Sequence, residues 1–177
     1  MYYKNDKNGI QVQVEIAFGK EDMTTVHGLR YDAYCRELKT ENADLFPERE
    51  ERDVYDTYAT HIIVREKDEI IATLRLIRDN PNGFLMERFF KLPAIIDRSK
   101  TLEHSREVVR IDKRGRGIHD ILTEAGEIWH KENGYMIGIG AGVDLVSRSL
   151  LKKGWQVFGE PVILHGVRLT PIMFYLE

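Results

Sequence analysis

Residues 102–118 read LEHSREVVRIDKRGRGI. Up to Asp112 the run has the content of a β-strand. From Lys113 it turns through KRGRG, and Ile118, Ile121, Leu122, Ala125, Ile128 and Trp129 then recur at helical spacing as one apolar stripe. A strand, a loop with two glycines and an amphipathic helix ending at Gly134 thus follow one another without a break. Glycine lets a backbone approach a ligand closely, and the first turn of a helix carries N–H groups with no partner inside the helix. An anion is the natural guest of such a turn. The spacing matches neither the P-loop nor the dinucleotide fingerprint. Gly138, Gly140 and Gly142 lack the rest of a βαβ signature, so a nucleotide cofactor is disfavoured.

Beyond this unit, Tyr135–Ala141 reads as a strand and 143–153 as a helix capped by Gly154. Trp155–His165 and Val167–Leu176 read as two last strands. The helix from 118 makes a crossover, which favours parallel pairing of the strands on either side of it. Before the unit, Ile10–Phe18 alternates apolar and polar residues as a half-buried strand does. From about Glu21 to Leu38 the pattern is helical, with Arg30 and Tyr34 four apart on one face. Residues 39–53 are highly charged, contain Pro47 and read as a mobile connection or short surface helices. Thr60–Arg65 and Glu69–Arg78 form a hairpin about Glu66–Asp68, and the second strand sets Arg75 among apolar neighbours. The whole predicts an α+β fold, a mixed and mostly antiparallel sheet flanked by helices.

A chain of 177 residues suits one domain, expected here over 1–177 with a polar N-terminal tail at 1–9. Hydrophobic residues at 42% and charged residues at 31% are globular proportions, which exclude disorder and collagen. With 26 Lys and Arg against 29 Asp and Glu, the net charge is −3, without the basic field of a nucleic-acid binder. The longest apolar runs fall far short of the ~20 residues of a membrane span. A single cysteine, Cys35, permits no internal disulfide and fits a reducing, cytoplasmic setting. The six histidines show no HExxH or similar pairing, and no metal site is expected.

The strand, RGRG loop and helix, followed by the Lys153-Gly154-Trp155 turn, resemble the acyl-thioester half of the GCN5-related N-acetyltransferase (GNAT) fold. The usual Q/RxxGxG loop of that fold has Asp112 at its first position here. Leu29-Arg30-Tyr31, Tyr34-Cys35, ERDVYD at 51–56, His61, Leu74-Arg75-Leu76-Ile77 and Glu103-His104-Ser105-Arg106 extend the likeness. Together they resemble the N-acyl amino acid synthases and exosortase-associated acyltransferases and, more distantly, the acyl-homoserine lactone synthases. The resemblance implies an acyltransferase. Its donor would be an acyl thioester on the phosphopantetheine of acyl carrier protein or coenzyme A, and its acceptor a small-molecule amine such as an amino acid. No permanently bound cofactor is implied. It also implies that Arg30, Asp53, Asp56, Arg75, Glu103 and Arg106 match an invariant charged set. The autoinducer synthases carry a tryptophan where this chain has Thr40, which points away from a homoserine lactone product.

An amine attacking a thioester must lose a proton, and a partly desolvated carboxylate can take it. Glu103 is the candidate base. Arg30, Arg75 and Arg106 can bind an acceptor carboxylate or hold Asp53, Asp56 and Glu103 in a fixed network. In a regular strand Glu103 and Arg106 face opposite ways, so a shared cleft requires a bulge or strand end. Glu107 and Arg110 repeat the spacing as a rival pair. Lys113, Arg114, Gly115, Arg116, Gly117 and Ile118 are the candidate phosphate loop, and Tyr34, Ser105 and His104 the candidate acceptor contacts. Lys100, Lys152 and Lys153 could complete a basic patch for an acidic carrier protein. A short-chain acetyl-CoA enzyme of the same fold and a non-catalytic thioester-binding module are the alternatives.

Overall fold

The structure is a computed structural model that describes residues 1–176. Among these described residues a sheet has nine strands: β1 (Tyr2–Asn5), β2 (Gln11–Ile16), β3 (Ala59–Glu66), β4 (Glu69–Arg78), β5 (Thr101–Val109), β6 (Ile137–Val143), β7 (Gln156–Val157), β8 (Val162–Leu164) and β9 (Val167–Tyr175). Its order is β1-β2-β3-β4-β5-β6-β9-β7, with β8 also on β9. The three helices are α1 (Gly19–Tyr31), α2 (Ile118–Glu132) and α3 (Asp144–Leu151). The β5–β6 pair, joined through α2, is parallel, and the other pairings are antiparallel. That is the mixed sheet the crossover predicted.

Helices cover both faces, which is why β4 is buried along both of its sides. Val26 of α1 packs with Ile63 and Ile70 on one face. Ile118, Ile121, Leu122 and Ala125 of α2 pack with Val64, Leu74 and Leu76 on the other. Leu150 of α3 closes a third cluster with Trp155, Ile172 and Phe174. Asp120 in the first turn of α2, with Lys131 in the last, matches the helix dipole.

Four elements differ from expectation. The polar start is no tail: Tyr2–Asn5 pairs with Gln11–Val14 as an edge strand. The helix from 21 to 38 changes pitch, α1 stopping at Tyr31 and a π-helical stretch occupying Asp32–Glu37. β5 ends at Val109, and a 3-10 turn, Ile111–Lys113, precedes the loop. The strand expected over 155–165 is two short ones separated by irregular chain. Residues 39–53, read as a mobile connection or short surface helices, do contain a short 3-10 helix, Ala43–Leu45, and ion pairs described below tie the segment to the sheet.

β6 and β9 touch so closely that a Cβ built on Gly138 would lie 1.9 Å from the Phe174 ring. Gly138→Ala should therefore force a backbone shift and destabilise the fold by about 1–3 kcal/mol, read from the urea unfolding midpoint.

Candidate active site

The pairing of β4 with β5 slips between Thr73 and Arg75. Thr73 faces Val108 and Arg75 faces Ser105, so Arg106 and Glu107 together oppose Leu74. This is a β-bulge, and Arg106 adopts φ +49° within it. The sequence required such a feature for Glu103 and Arg106 to share a cleft. Glu103 and Ser105 lie on the face of Arg75, whose Nε donates to Ser105 Oγ at 3.0 Å. The left-handed turn then swings Arg106 back to that face, where its Nε donates to Glu51 Oε1 at 3.1 Å.

A charge network is built on this face. Arg30, fully buried, donates to Glu51 at 2.5 Å and to Asp56 at 2.6 Å. Arg75, also fully buried, donates to Asp53 at 2.7 Å and Asp56 at 2.8 Å. Arg106 binds Glu41 and Glu51 and lies over the Tyr34 ring, 4.8 Å from its centre. Each guanidinium thus meets at least two carboxylates, and the arginines hold the network together, with Arg75 Nη2 the one buried donor among them that has no hydrogen-bond partner. Asp53 caps a 3-10 turn, Val54–Tyr58, in a capping box with Asp56, which fixes both acids. Burial alone would raise the Asp56 pKa, but the Arg30 and Arg75 charges outweigh it and hold the carboxyl well below its usual range. Glu51 is lowered in the same way by Arg106 and Arg30. Glu51 and Glu41 were not among the sequence candidates. Glu51 is fully buried, and its signal was the ERDVYD run itself, with acids at 51, 53 and 56.

Glu103 stands apart from this network. It is 2% exposed, its Oε1 accepts the Met86 N–H at 3.0 Å, and its Oε2 has no hydrogen-bond partner. Burial pushes its pKa up to about 8, against the lowering influence of Arg75. It lines a cavity of about 200 Å³ that opens where β5 and β6 part company. Their pairing stops at His104 and Gly140. Beyond that point Ser105, Arg106 and Glu107 form one wall and Ala141, Gly142 and Val143 the other. The inner lining is apolar, with Leu74, Val146, Leu150, Trp155 and Ile172. Several of these belong to the α2 and α3 side of the sheet, not to the space under α1.

The rival pair is separated. Glu107 meets His119 of α2, while Arg110 pairs with Asp112 and Glu69 near the surface. Tyr34 donates its hydroxyl to the Glu107 carbonyl at 3.2 Å and lines the cavity, as does Thr40. Burial pushes the Tyr34 phenol up to about 12 and the Cys35 thiol to about 11, so Cys35 is an inert core residue. His104 reaches the cavity from the opposite face to Glu103. Its Nε2 lies 3.0 Å from that of His130, and its ring packs against Gly126, Trp155 and Phe174. Burial holds both imidazoles neutral, His104 well below its usual pKa and His130 at about 4. His104 belongs to the apolar side, away from the candidate base.

In the loop, Gly115 and Gly117 both have φ +79°, a conformation that favours glycine. Ile118 is buried in the core, so its side chain only anchors α2. The basic side chains are already engaged: Lys113 with Glu66, Arg114 with Glu37, Arg116 with Asp6 and Glu66, and Lys153 with Asp120. Lys100 precedes β5 and the loop follows it, a separation of ~30 Å at ~3.3 Å per residue, so Lys100 is outside any patch there. What the loop presents to an anion is backbone N–H. Among the described residues, no group of three His, Cys, Asp or Glu is placed to hold a metal ion, and no helix is long and apolar enough to cross a membrane.

A sheet whose parallel centre splits beside a glycine loop and a helix start defines an acyltransferase of the GNAT type. The acetyltransferase (GNAT) domain family matches residues 29–124, over half of the chain, and the protein belongs to it. No protein of curated function matches it in sequence. Solved structures share the fold at low identity. The AHL synthase LasI is 17% identical with a TM-score of 0.76, over 94% of this chain and 90% of that one. BjaI, a CoA-dependent acyl-homoserine lactone synthase, is 18% identical with a TM-score of 0.74, over 92% and 81%. FeeM, an N-acyl amino acid synthase from uncultured soil microbes, is 12% identical with a TM-score of 0.73, over 93% and 90%.

Removing the Asp56 charge leaves the buried Arg30 and Arg75 with one carboxylate each, Glu51 and Asp53. Asp56→Asn should cost about 3–5 kcal/mol at pH 7, measured by denaturant unfolding. The lowered pKa means that this stabilisation is full above the unfolded value of 3.8 and is lost as pH falls through the folded one. The gap between wild type and variant should therefore close in acid.

Proposed function

We propose that the protein moves a fatty acyl chain from a phosphopantetheine thioester to the amine of an amino acid or related small molecule, giving an N-acyl amino acid. The observation that carries this reading is Glu103: a buried carboxyl in a cleft, with one oxygen unpartnered and a pKa raised to about 8. A carboxylate of ordinary pKa is a weak base toward an ammonium group, and the raised value makes the proton transfer less uphill.

In this mechanism the backbone N–H groups of Gly115, Arg116 and Gly117 and the first turn of α2 bind the donor's phosphate. The pantetheine arm takes the place of the missing pairing between β5 and β6, and strand backbone orients the thioester carbonyl. The amine gives its proton to Glu103 Oε2 and attacks the carbonyl carbon. The tetrahedral intermediate collapses, the C–S bond breaks and the thiolate leaves to take up a proton. The acyl chain lies in the apolar lining of Leu74, Leu150, Trp155 and Ile172, so its length is set by the depth of that channel. The network of Arg30, Asp53, Asp56, Arg75 and Arg106 holds the bulge, and with it the cleft wall. The likeness in fold to FeeM and to the CoA-dependent BjaI supports the donor and product classes. A cytoplasmic setting fits both the thioester donor and the lone Cys35.

The donor is carried by acyl carrier protein or coenzyme A, which share the phosphate that the loop binds. Added salt should raise the KM for an acidic carrier protein more than that for acyl-CoA. Expression in a bacterial host, solvent extraction and mass spectrometry test the reaction itself. Wild type should yield long-chain N-acyl amino acids and Glu103→Gln should not. Turnover of acetyl-CoA at least as fast as of long-chain donors would replace this reading with a short-chain acetyltransferase. Tight thioester binding without turnover would replace it with a sensing module.

Two further outcomes follow from the Glu103 pKa. The rate at saturating donor should rise with pH around 8, and Glu103→Gln should lower kcat by about 10²–10⁴ and flatten that profile. The folded protein holds this proton to about pH 8, while the unfolded chain loses it near 4.5. Wild type should therefore lose stability relative to Glu103→Gln as pH climbs between those values, read from melting temperatures.

A further inference from the structure

We propose that the acceptor is an α-amino acid whose carboxylate is bound by Arg88, an inference that rests on the acyl-transfer reading above. The cleft is lined by three acids, Glu41, Glu103 and Glu107, and by two arginines, Arg88 and Arg106. Arg106 is consumed by Glu41 and Glu51. Arg30 and Arg75, buried behind it, face Glu51, Asp53 and Asp56. Among the described residues Arg88 is the lining cation that forms no ion pair, and its guanidinium lies 5.7 Å from the centre of the Phe89 ring. Without it a carboxylate in the cleft would face mainly like charges.

The position of Arg88 is set by the same turn that sets the base. It ends the 3-10 turn Leu85–Arg88, and Met86, two residues earlier, donates its N–H to Glu103. Phe84 and Met86 root the turn in the core, and Glu87 accepts the Phe84 N–H at 2.7 Å while pairing with Arg98. The backbone is therefore fixed and the Arg88 side chain exposed. Glu103 and Arg88 both act on the buried Tyr55 phenol, which burial and Glu103 raise and Arg88 lowers, so the two charges share one neighbourhood. In an α-amino acid the amine and carboxylate are separated by a single carbon. An amine delivered to Glu103 Oε2 places its carboxylate within reach of a long, forked side chain on the adjoining turn. Arginine matches a carboxylate through two parallel N–H donors, which also fixes the acceptor's orientation.

The test uses the full-length protein with long-chain acyl-CoA and acyl carrier protein donors. The acceptors are the twenty amino acids, each paired with its carboxamide, and release of free thiol and the acylated product are followed together. Wild type should prefer the acid to the carboxamide at least tenfold in kcat/KM. Arg88→Met should lower that ratio at least tenfold through the acceptor KM, with the donor KM unchanged, and Arg88→Lys should recover part of it. Melting temperatures confirm that the variants fold. Equal use of acid and carboxamide by wild type, or an unaltered ratio in Arg88→Met, would overturn the Arg88 assignment while leaving acyl transfer in place. Acylation of neither member of any pair would overturn acyl transfer, and the assignment with it.

Discussion

Asp56 sits between two arginines from which water is excluded, and the sheet face that bears the cleft is organised around that contact. Arg30 comes from α1 and Arg75 from the middle of β4, and both are fully buried. A guanidinium cannot shed its charge at accessible pH, so its burial demands carboxylates close by. The chain supplies them from a segment with little regular structure, Glu41 to Asp56. These ion pairs, together with Tyr55 packed against Ile77 and Leu85, press that segment onto the sheet. Arg106 adds a second tie through Glu41 and Glu51, from the bulged part of β5.

Glu103 gains its distinct character from being left out of this arrangement. It shares a sheet face with Arg75, yet its own partner is the uncharged Met86 N–H. A carboxyl two strand residues from Ser105, in a structure dense with arginines, thus keeps a pKa above neutrality while Asp56 and Glu51 are driven down. Two chemically similar groups on one surface are separated by which of them receives a guanidinium.

Much of this was legible in the sequence. The strand, RGRG loop and helix gave the crossover and its parallel pair, and hydrophobic periodicity placed α2 and the central hairpin. Glu103 and Arg106 were visible as a pair but not as neighbours on one face, because a left-handed arginine has no sequence signature and the bulge is dictated by the partner strand. β1 was hidden because Tyr2–Asn5 is short and mixed in polarity. Glu51 was hidden because an acid in a charged stretch looks solvated until the arginine it meets is known. The same limit applied to Arg114 and Arg116: sequence shows a charge, and only the fold shows the acids that already hold it.

The hairpin of β1 and β2 carries a consequence for how the molecule assembles. Lys7 packs over Gly117, its N–H bonds the Arg116 carbonyl at 2.9 Å, and Asp6 pairs with Arg116, 110 residues along the chain. Asp6 and Lys7 thus complete a turn made of residues synthesised more than a hundred positions after them. Contacts of such sequence separation form late and break early, because closing so long a loop is entropically costly. The loop at 113–117 therefore matures after the central hairpin, and opening of the β1–β2 hairpin loosens it before the core around β4 is disturbed.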